Sequence, residues 1–187
     1  MKFKGINKIH QGKYIARYDI QYESEKGREK TYEMISRNKH ITTEDDLHNN
    51  QVDAVVLIMH DSDKSHILLN REFRMAPAET VINFPAGLID QGESVQEAAA
   101  RELREETGLR LDSIEEEWKE SYSAVGFSNE KNVVVIGKAS GTLQESDSDM
   151  EEIEARWYSK EDVKKLLQTE RFAARTQAYC ALWSAHE

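Results

Sequence analysis

A loop running into a strong helix is written in Gly87-Leu88-Ile89-Asp90-Gln91-Gly92-Glu93, seven further residues, and then Arg101-Glu102-Leu103-Arg104-Glu105-Glu106-Thr107-Gly108-Leu109. Residues 95–107 are rich in Ala, Glu, Arg and Leu, side chains that lose little rotamer freedom in a helix. Ser94 is an N-cap residue, Glu97 three positions on completes a capping box, and Gly108 supplies the stop. Glu102, Glu105 and Glu106 are spaced so that their carboxylates leave one side of that helix. Three like charges repel, and Arg101, Arg104 and Arg110 offset part of the repulsion. Clustered carboxylate oxygens are also what a hard divalent cation such as magnesium takes, together with water and phosphate oxygen. The acidic spacing alone does not separate that use from a solvated helix face laced with salt bridges.

Upstream of the helix, residues 54–59 form a buried-strand run, and residues 66–70 its partner across a turn at Asp61-Ser62-Asp63-Lys64. Farther upstream, residues 13–22 and 30–36 alternate apolar and polar side chains around Glu25-Lys26-Gly27, the pattern of an antiparallel hairpin. A polar connector, 37–50, follows, and a loop with Pro77 and Pro85 leads into Gly87. Downstream, 133–138 and 155–158 read as strands, Ser159 caps a short helix, and 172–185 forms a closing helix. Strands and helices without strict alternation predict an α+β chain, a mixed sheet sandwiched by helices. The expected division is a small N-terminal antiparallel β extension at 1–48 and a main domain at 49–187.

The 187 residues are 39% hydrophobic and 32% charged with a net charge of -10, a globular composition that repels a nucleic-acid backbone. No Lys/Arg run offers a local exception, and the acidic runs at 115–117 and 145–154 are of the wrong sign. The lone Cys180 forms no intrachain disulfide and sits in an apolar helical pattern with Tyr179 and Leu182, so it is expected in the core. No apolar run has membrane length and none follows the basic start of the chain. The expectation is a cytoplasmic protein with neither nucleic-acid nor membrane partners.

The stretch from Gly87 to Leu109 resembles the Nudix box at all nine of its specified positions: Gly, five residues, Glu, seven residues, Arg-Glu, an aliphatic, any residue, Glu-Glu, any residue, Gly, an aliphatic. The resemblance implies a Nudix-type α/β/α sandwich and a site where magnesium, with manganese as a substitute, and a pyrophosphate are held. It implies that Glu102 and Glu106 are direct metal ligands, with Glu105 close by or bound through water, and that the carbonyl of Ala86 is a backbone ligand. Arg101 would orient a box glutamate and Glu93 would brace the loop against the helix start, where the dipole favours negative charge. Gly87 and Gly108 would be structural supports.

The likeness extends beyond the box. Ile67-Leu68-Leu69-Asn70-Arg71-Glu72-Phe73-Arg74, followed by Phe84-Pro85-Ala86-Gly87, is similar to the segment before the box in ADP-ribose and nucleotide-sugar pyrophosphatases, which implies that Arg74 contacts a substrate phosphate through its fork of donors. Ser123-Ala124-Val125-Gly126-Phe127-Ser128-Asn129-Glu130 resembles that subgroup's Ser-Pro-Gly loop and makes Glu130 a substrate contact. Val125 stands where the ADP-ribose branch has Pro, which places a nucleotide sugar beside ADP-ribose as substrate. The subgroup also draws a catalytic base or a further metal contact from a late acidic loop; Glu151 is the expected residue, with Asp149 and Glu152 behind it. Catalysis would then rest on Glu105, Glu106, Glu151 and Arg101. The N-terminal sheet resembles an extension that pairs subunits, so a homodimer is expected. Tyr14, Tyr18, Tyr22 and Tyr32 would form a local core or meet the base. A sensor without turnover and a nucleoside triphosphate pyrophosphohydrolase are the alternatives, and the intact box argues against the first.

Overall fold

The computed structural model describes residues 1–147 and 150–185. Asp149, one of the loop acids considered above, lies outside the described residues. The chain divides into two compact units, Met1–Ala54 with Glu120–Val133, and Val55–Lys119 with Val134–Glu187.

The first unit holds a three-stranded antiparallel sheet of β1 (Lys2–Gln11), β2 (Ala16–Glu23) and β3 (Glu29–Ser36) in that order. The alternation at 13–22 is shorter as a strand than it reads, because Gly12 N–H donates to the Ile15 carbonyl at 2.8 Å and the chain turns there. Ala16, Tyr18 and Ile20, spaced by two along β2, share one face and form a core with Met34 and Ile41, against which Phe3, Ile6, Tyr22 and Tyr32 pack. Tyr18 is fully buried, with its hydroxyl donating to the Asn38 carbonyl at 2.9 Å. Of the four tyrosines, Tyr18, Tyr22 and Tyr32 therefore belong to this core, and Tyr14 is exposed.

The main sheet is mixed and runs β11 (Ile153–Ser159), β5 (His66–Arg74), β4 (Ala54–His60), β10 (Lys131–Ser140), β8 (Arg110–Glu117). β6 (Glu79–Asn83) pairs with β5, β7 (Ala86–Leu88) with β4, and β9 (Ser121–Tyr122) with β10. Three helices complete the fold: α1 (Val95–Thr107), α2 (Lys160–Thr169) and α3 (Ala174–Ala185). All seven residues of β4 are buried, which is why it reads as a continuous apolar run. Val56, Ile58, Ile67 and Leu69 pack with Val163 of α2 and with Cys180, Tyr179 and Trp183 of α3. Side chains one step along β5 point the other way, and there Asn70 meets α1 through Glu106. The sheet thus has α2 and α3 on one face and α1 on the other. Cys180 is fully enclosed, and burial pushes its thiol up to about 12, as suits a small core hydrophobe. Among the described residues no helix is long and apolar enough to cross a membrane.

His60 ends β4 inside the α3 side of the core. Its ring lies 5.7 Å from that of Trp183, Nδ1 faces the His66 carbonyl at 3.3 Å, and Nε2 faces the Tyr179 hydroxyl at 3.5 Å. Burial holds its pKa below the ordinary histidine value of 6.5. The unfolded chain therefore binds the extra proton first. The stabilisation from neutral His60 is fully present above the unfolded value and is lost as pH falls below it towards the folded value. Thermal melts between about pH 7.5 and about pH 5 should show a fall in Tm that is smaller in His60→Phe; equal falls in both proteins would remove His60 as the cause.

Candidate functional site

The site is built on α1 and on the loop that enters it, both in the second unit. Ser94 Oγ accepts from the Glu97 N–H at 3.3 Å, and the Glu97 carboxylate accepts from the Ser94 N–H at 2.9 Å, so the capping box read from the sequence is formed. Gly108 closes the helix with φ 73°, a left-handed conformation suited to glycine. At the loop start, a Cβ on Gly87 would lie 1.9 Å from the carboxyl carbon of Glu102. The box glycine is thus the space into which a box carboxylate folds back. Ala86, just before it, opens β7, and its side chain packs against the core.

Arg101 lies at the centre of the charges. Its Nε and Nη2 donate to the two Glu93 carboxylate oxygens at 2.9 and 2.8 Å, and Nη2 also donates to the Leu88 carbonyl at 2.8 Å. Nη1 donates to Glu102 at 2.7 Å and to Glu105 at 3.3 Å. Paired with Arg101 and accepting from the Asp90 N–H, Glu93 is held down at about 2. Arg101 itself is raised, chiefly by Glu93. Glu102 goes the other way: burial raises it, Arg101 opposes the rise, and the charges of Glu105 and Glu151 add to it.

Glu106 is the most enclosed of the three box carboxylates, 6% exposed, and accepts from Asn70 Nδ2 at 2.7 Å. Burial pushes it up to about 8, with further contributions from Glu72, Glu102 and Glu151. The charge of Glu151 is thus felt by two box carboxylates, although it stands 45 residues after Glu106 in the chain. Glu102, Glu105, Glu106 and Glu151, with Ser146 and Asp147, line a hollow of about 370 Å³. The late loop reaches this place because it satisfies carbonyls at the end of α1: Gln144 N–H donates to Thr107 and Asp147 N–H to Glu105, each at 2.9 Å. At the far end, Phe73 N–H donates to the Glu152 carbonyl at 3.1 Å.

As placed, no group of three or more His, Cys, Asp or Glu side chains among the described residues forms a set ready to hold a metal ion. Glu102 and Glu105 are both turned onto Arg101. Arg74, at the end of β5, is exposed and stands 3.6 Å from the buried carboxylate of Glu72, outside the hollow's lining. Glu130 belongs to the first unit, where it accepts from Arg37 Nε at 2.7 Å and from the Ser123 hydroxyl at 3.0 Å. Val125, in the same loop, is 78% exposed.

Two residues near the carboxylates were not singled out from the sequence. Asn70 interrupts an aliphatic strand run, and Glu72 is 5% exposed and accepts from Asn83 Nδ2 at 2.8 Å. The available signal was a polar residue at a position whose neighbours Leu68 and Leu69 mark a strand buried on both faces. The close approach at Gly87 has its own consequence. The colliding atoms are the carboxylate end of a side chain that Arg101 holds, so Gly87→Ala should displace the Glu102 carboxylate, loosen that ion pair and lose about 1–3 kcal/mol of stability. A thermal melt with a structure of the variant checks this, and an unmoved Glu102 would contradict it.

Residues 50–179 match the NUDIX domain family. An uncharacterised Nudix hydrolase of Schizosaccharomyces pombe is 27% identical over 89% of this chain and 80% of its own, and an ADP-ribose pyrophosphatase of Saccharomyces cerevisiae is 30% identical over 76% of this chain and 60% of its own. The crystal structure of an ADP compounds hydrolase superposes with a TM-score of 0.72 at 20% identity, covering 99% of this chain and 93% of the other, a likeness of fold. A family match over more than two thirds of the chain, on a fold of this kind and around an unbroken box, shows that the chain belongs to the Nudix hydrolase family.

Proposed function

We propose that this Nudix hydrolase cleaves the pyrophosphate of a nucleoside diphosphate derivative, ADP-ribose or a nucleotide sugar, with magnesium, releasing a nucleoside monophosphate and a sugar phosphate. The observation that carries the reading is the gathering of Glu102, Glu105, Glu106 and Glu151 around one hollow beside Arg101. The likeness to an enzyme named ADP-ribose pyrophosphatase points to the substrate class. The exposed Val125, at the place of the ADP-ribose branch's proline, keeps nucleotide sugars in that class.

The donor set fits a hard divalent cation, because the lining side chains are carboxylates apart from the hydroxyl of Ser146, all of them oxygen donors. The raised pKa values of Glu102 and Glu106 express burial and mutual repulsion that a cation relieves. Glu102 and Glu106, with the Ala86 carbonyl, are the assigned ligands, and Glu105 lies beside them. Held by these residues, a divalent ion would supply charge neutralisation at the diphosphate and a lowered pKa of water. Arg101 holds Glu102 and Glu105 by their oxygens and ties them to the loop through Glu93. Arg74 offers its guanidinium to a substrate phosphate, and Glu130 is assigned a substrate contact on the resemblance of its loop alone. Glu151 takes the proton of the attacking water. We assign residues 1–48 to an extension that pairs two copies, 49–187 to the catalytic domain, and the cytoplasm as the compartment.

Monophosphate release from a panel of ADP-ribose, nucleotide sugars, dinucleoside polyphosphates and nucleoside triphosphates tests the reading. ADP-ribose or a nucleotide sugar should be preferred, and chelation or Glu106→Gln should abolish turnover. A triphosphate preference would overturn the substrate assignment, and tight nucleotide binding without turnover would make the protein a sensor. Glu151→Gln should lower kcat by roughly 100- to 10,000-fold with KM little changed, as for loss of a general base; a kcat within a few-fold of the parent would remove Glu151 from that role.

A further inference from the structure

Asn70 is a buried amide where the strand pattern calls for an aliphatic residue. It follows Ile67, Leu68 and Leu69 in β5, and none of the four has accessible surface. Burying an amide in such a run is unfavourable unless its polar atoms find partners. One of them does: Nδ2 donates to Glu106 Oε2 at 2.7 Å. The other does not, because Asn70 Oδ1 is a buried acceptor without a hydrogen-bond partner among the described residues. An apolar residue of similar size would remove that defect, so packing alone does not account for the amide.

The two halves of the amide point to one role. Arg101 serves Glu93, Glu102 and Glu105, whereas Glu106 is held by Asn70. A neutral donor fixes the direction of a carboxylate without cancelling its charge, as a guanidinium in the same place would. A cation entering the site therefore has no guanidinium to displace from Glu106. Conversely, an oxygen that finds no donor among the described residues suits a donor that the ligand brings, and the water of a hydrated magnesium or manganese ion is such a donor.

We propose that Asn70 is a positioning residue of the metal site, orienting Glu106 through Nδ2 and offering Oδ1 to a water of the hydrated divalent ion. The proposal rests on the assignment of Glu106 as a metal ligand made above. Outer partners of this kind typically contribute 10- to 100-fold to metal affinity.

The test is manganese binding, by calorimetry and by the electron paramagnetic resonance of the free ion, on the full chain and on Asn70→Leu, Asn70→Val and Glu106→Gln, with metal-free thermal melts of each. Manganese affinity should fall by roughly 10- to 100-fold in both Asn70 variants. Their metal-free Tm should change little, since removal of the unpaired buried acceptor offsets loss of the donor to Glu106. A role confined to folding predicts a lower Tm with unchanged manganese affinity, and that result overturns the proposal. Failure of both Asn70 variants to fold also overturns it, because the amide would then serve the core. Unchanged affinity in Glu106→Gln refutes the underlying ligand assignment; loss in Glu106→Gln with parental affinity in both Asn70 variants refutes the role of Asn70 alone.

Discussion

The contacts of one guanidinium, Arg101, hold the box together. Its donors bind the Glu93 carboxylate and the Leu88 carbonyl on the loop side, and Glu102 and Glu105 on the helix side. Without it, a loop carboxylate and two helix carboxylates would repel across a short gap, and the loop would have no fixed path into α1. An ammonium in its place would offer a point charge without a planar fork, and could not serve both sides in one geometry. The box spacing is therefore a mechanical requirement: seven residues separate Glu93 from Arg101, enough for the capped first turns of α1 to bring the side chain back over the loop.

Around that contact the sheet acts as a platform with two different faces. β5 gives Leu69 and Ile67 to the apolar layer under α2 and α3, and Asn70 to the charged layer under α1. Glu72 extends the buried polar layer through Asn83, whose Oδ1 accepts from the Thr176 hydroxyl at 2.8 Å. A helix of the closing pair is thereby tied to a carboxylate whose charge reaches Glu106. The late loop uses carbonyls at the end of α1 as its anchor, so the orphan acceptors of a helix end also deliver Glu151 to the carboxylates.

Legibility in the sequence followed how each element meets its neighbours. α1 was readable with both caps because its signals are local, and β4 was readable because it is buried throughout. β1 and β8 were not, and for one reason. In β1 the pairing with β2 skips Lys4 and Ile9, so Phe3 and Ile6, three apart, come to the same core. In β8 the pairing with β10 skips Asp112 and Glu115, leaving Leu111 and Ile114, also three apart, as its partly buried residues. A bulge removes the period of two on which a strand is recognised. The acidic run at 115–117 is consequently the end of an edge strand.

The sequence by itself determined the helix, its caps and the family, since each of these depends on residue type at a fixed spacing within one short segment. Only the tertiary structure decided which charges act together. Glu151 reaches Glu102 and Glu106 through a loop docked on α1, Asn70 reaches Glu106 across the sheet and helix layers, and Arg74 is left outside the hollow beside Glu72. Burial and Coulomb interactions depend on distance in space, and a spacing along the chain carries that distance only within a helix turn or a strand pair.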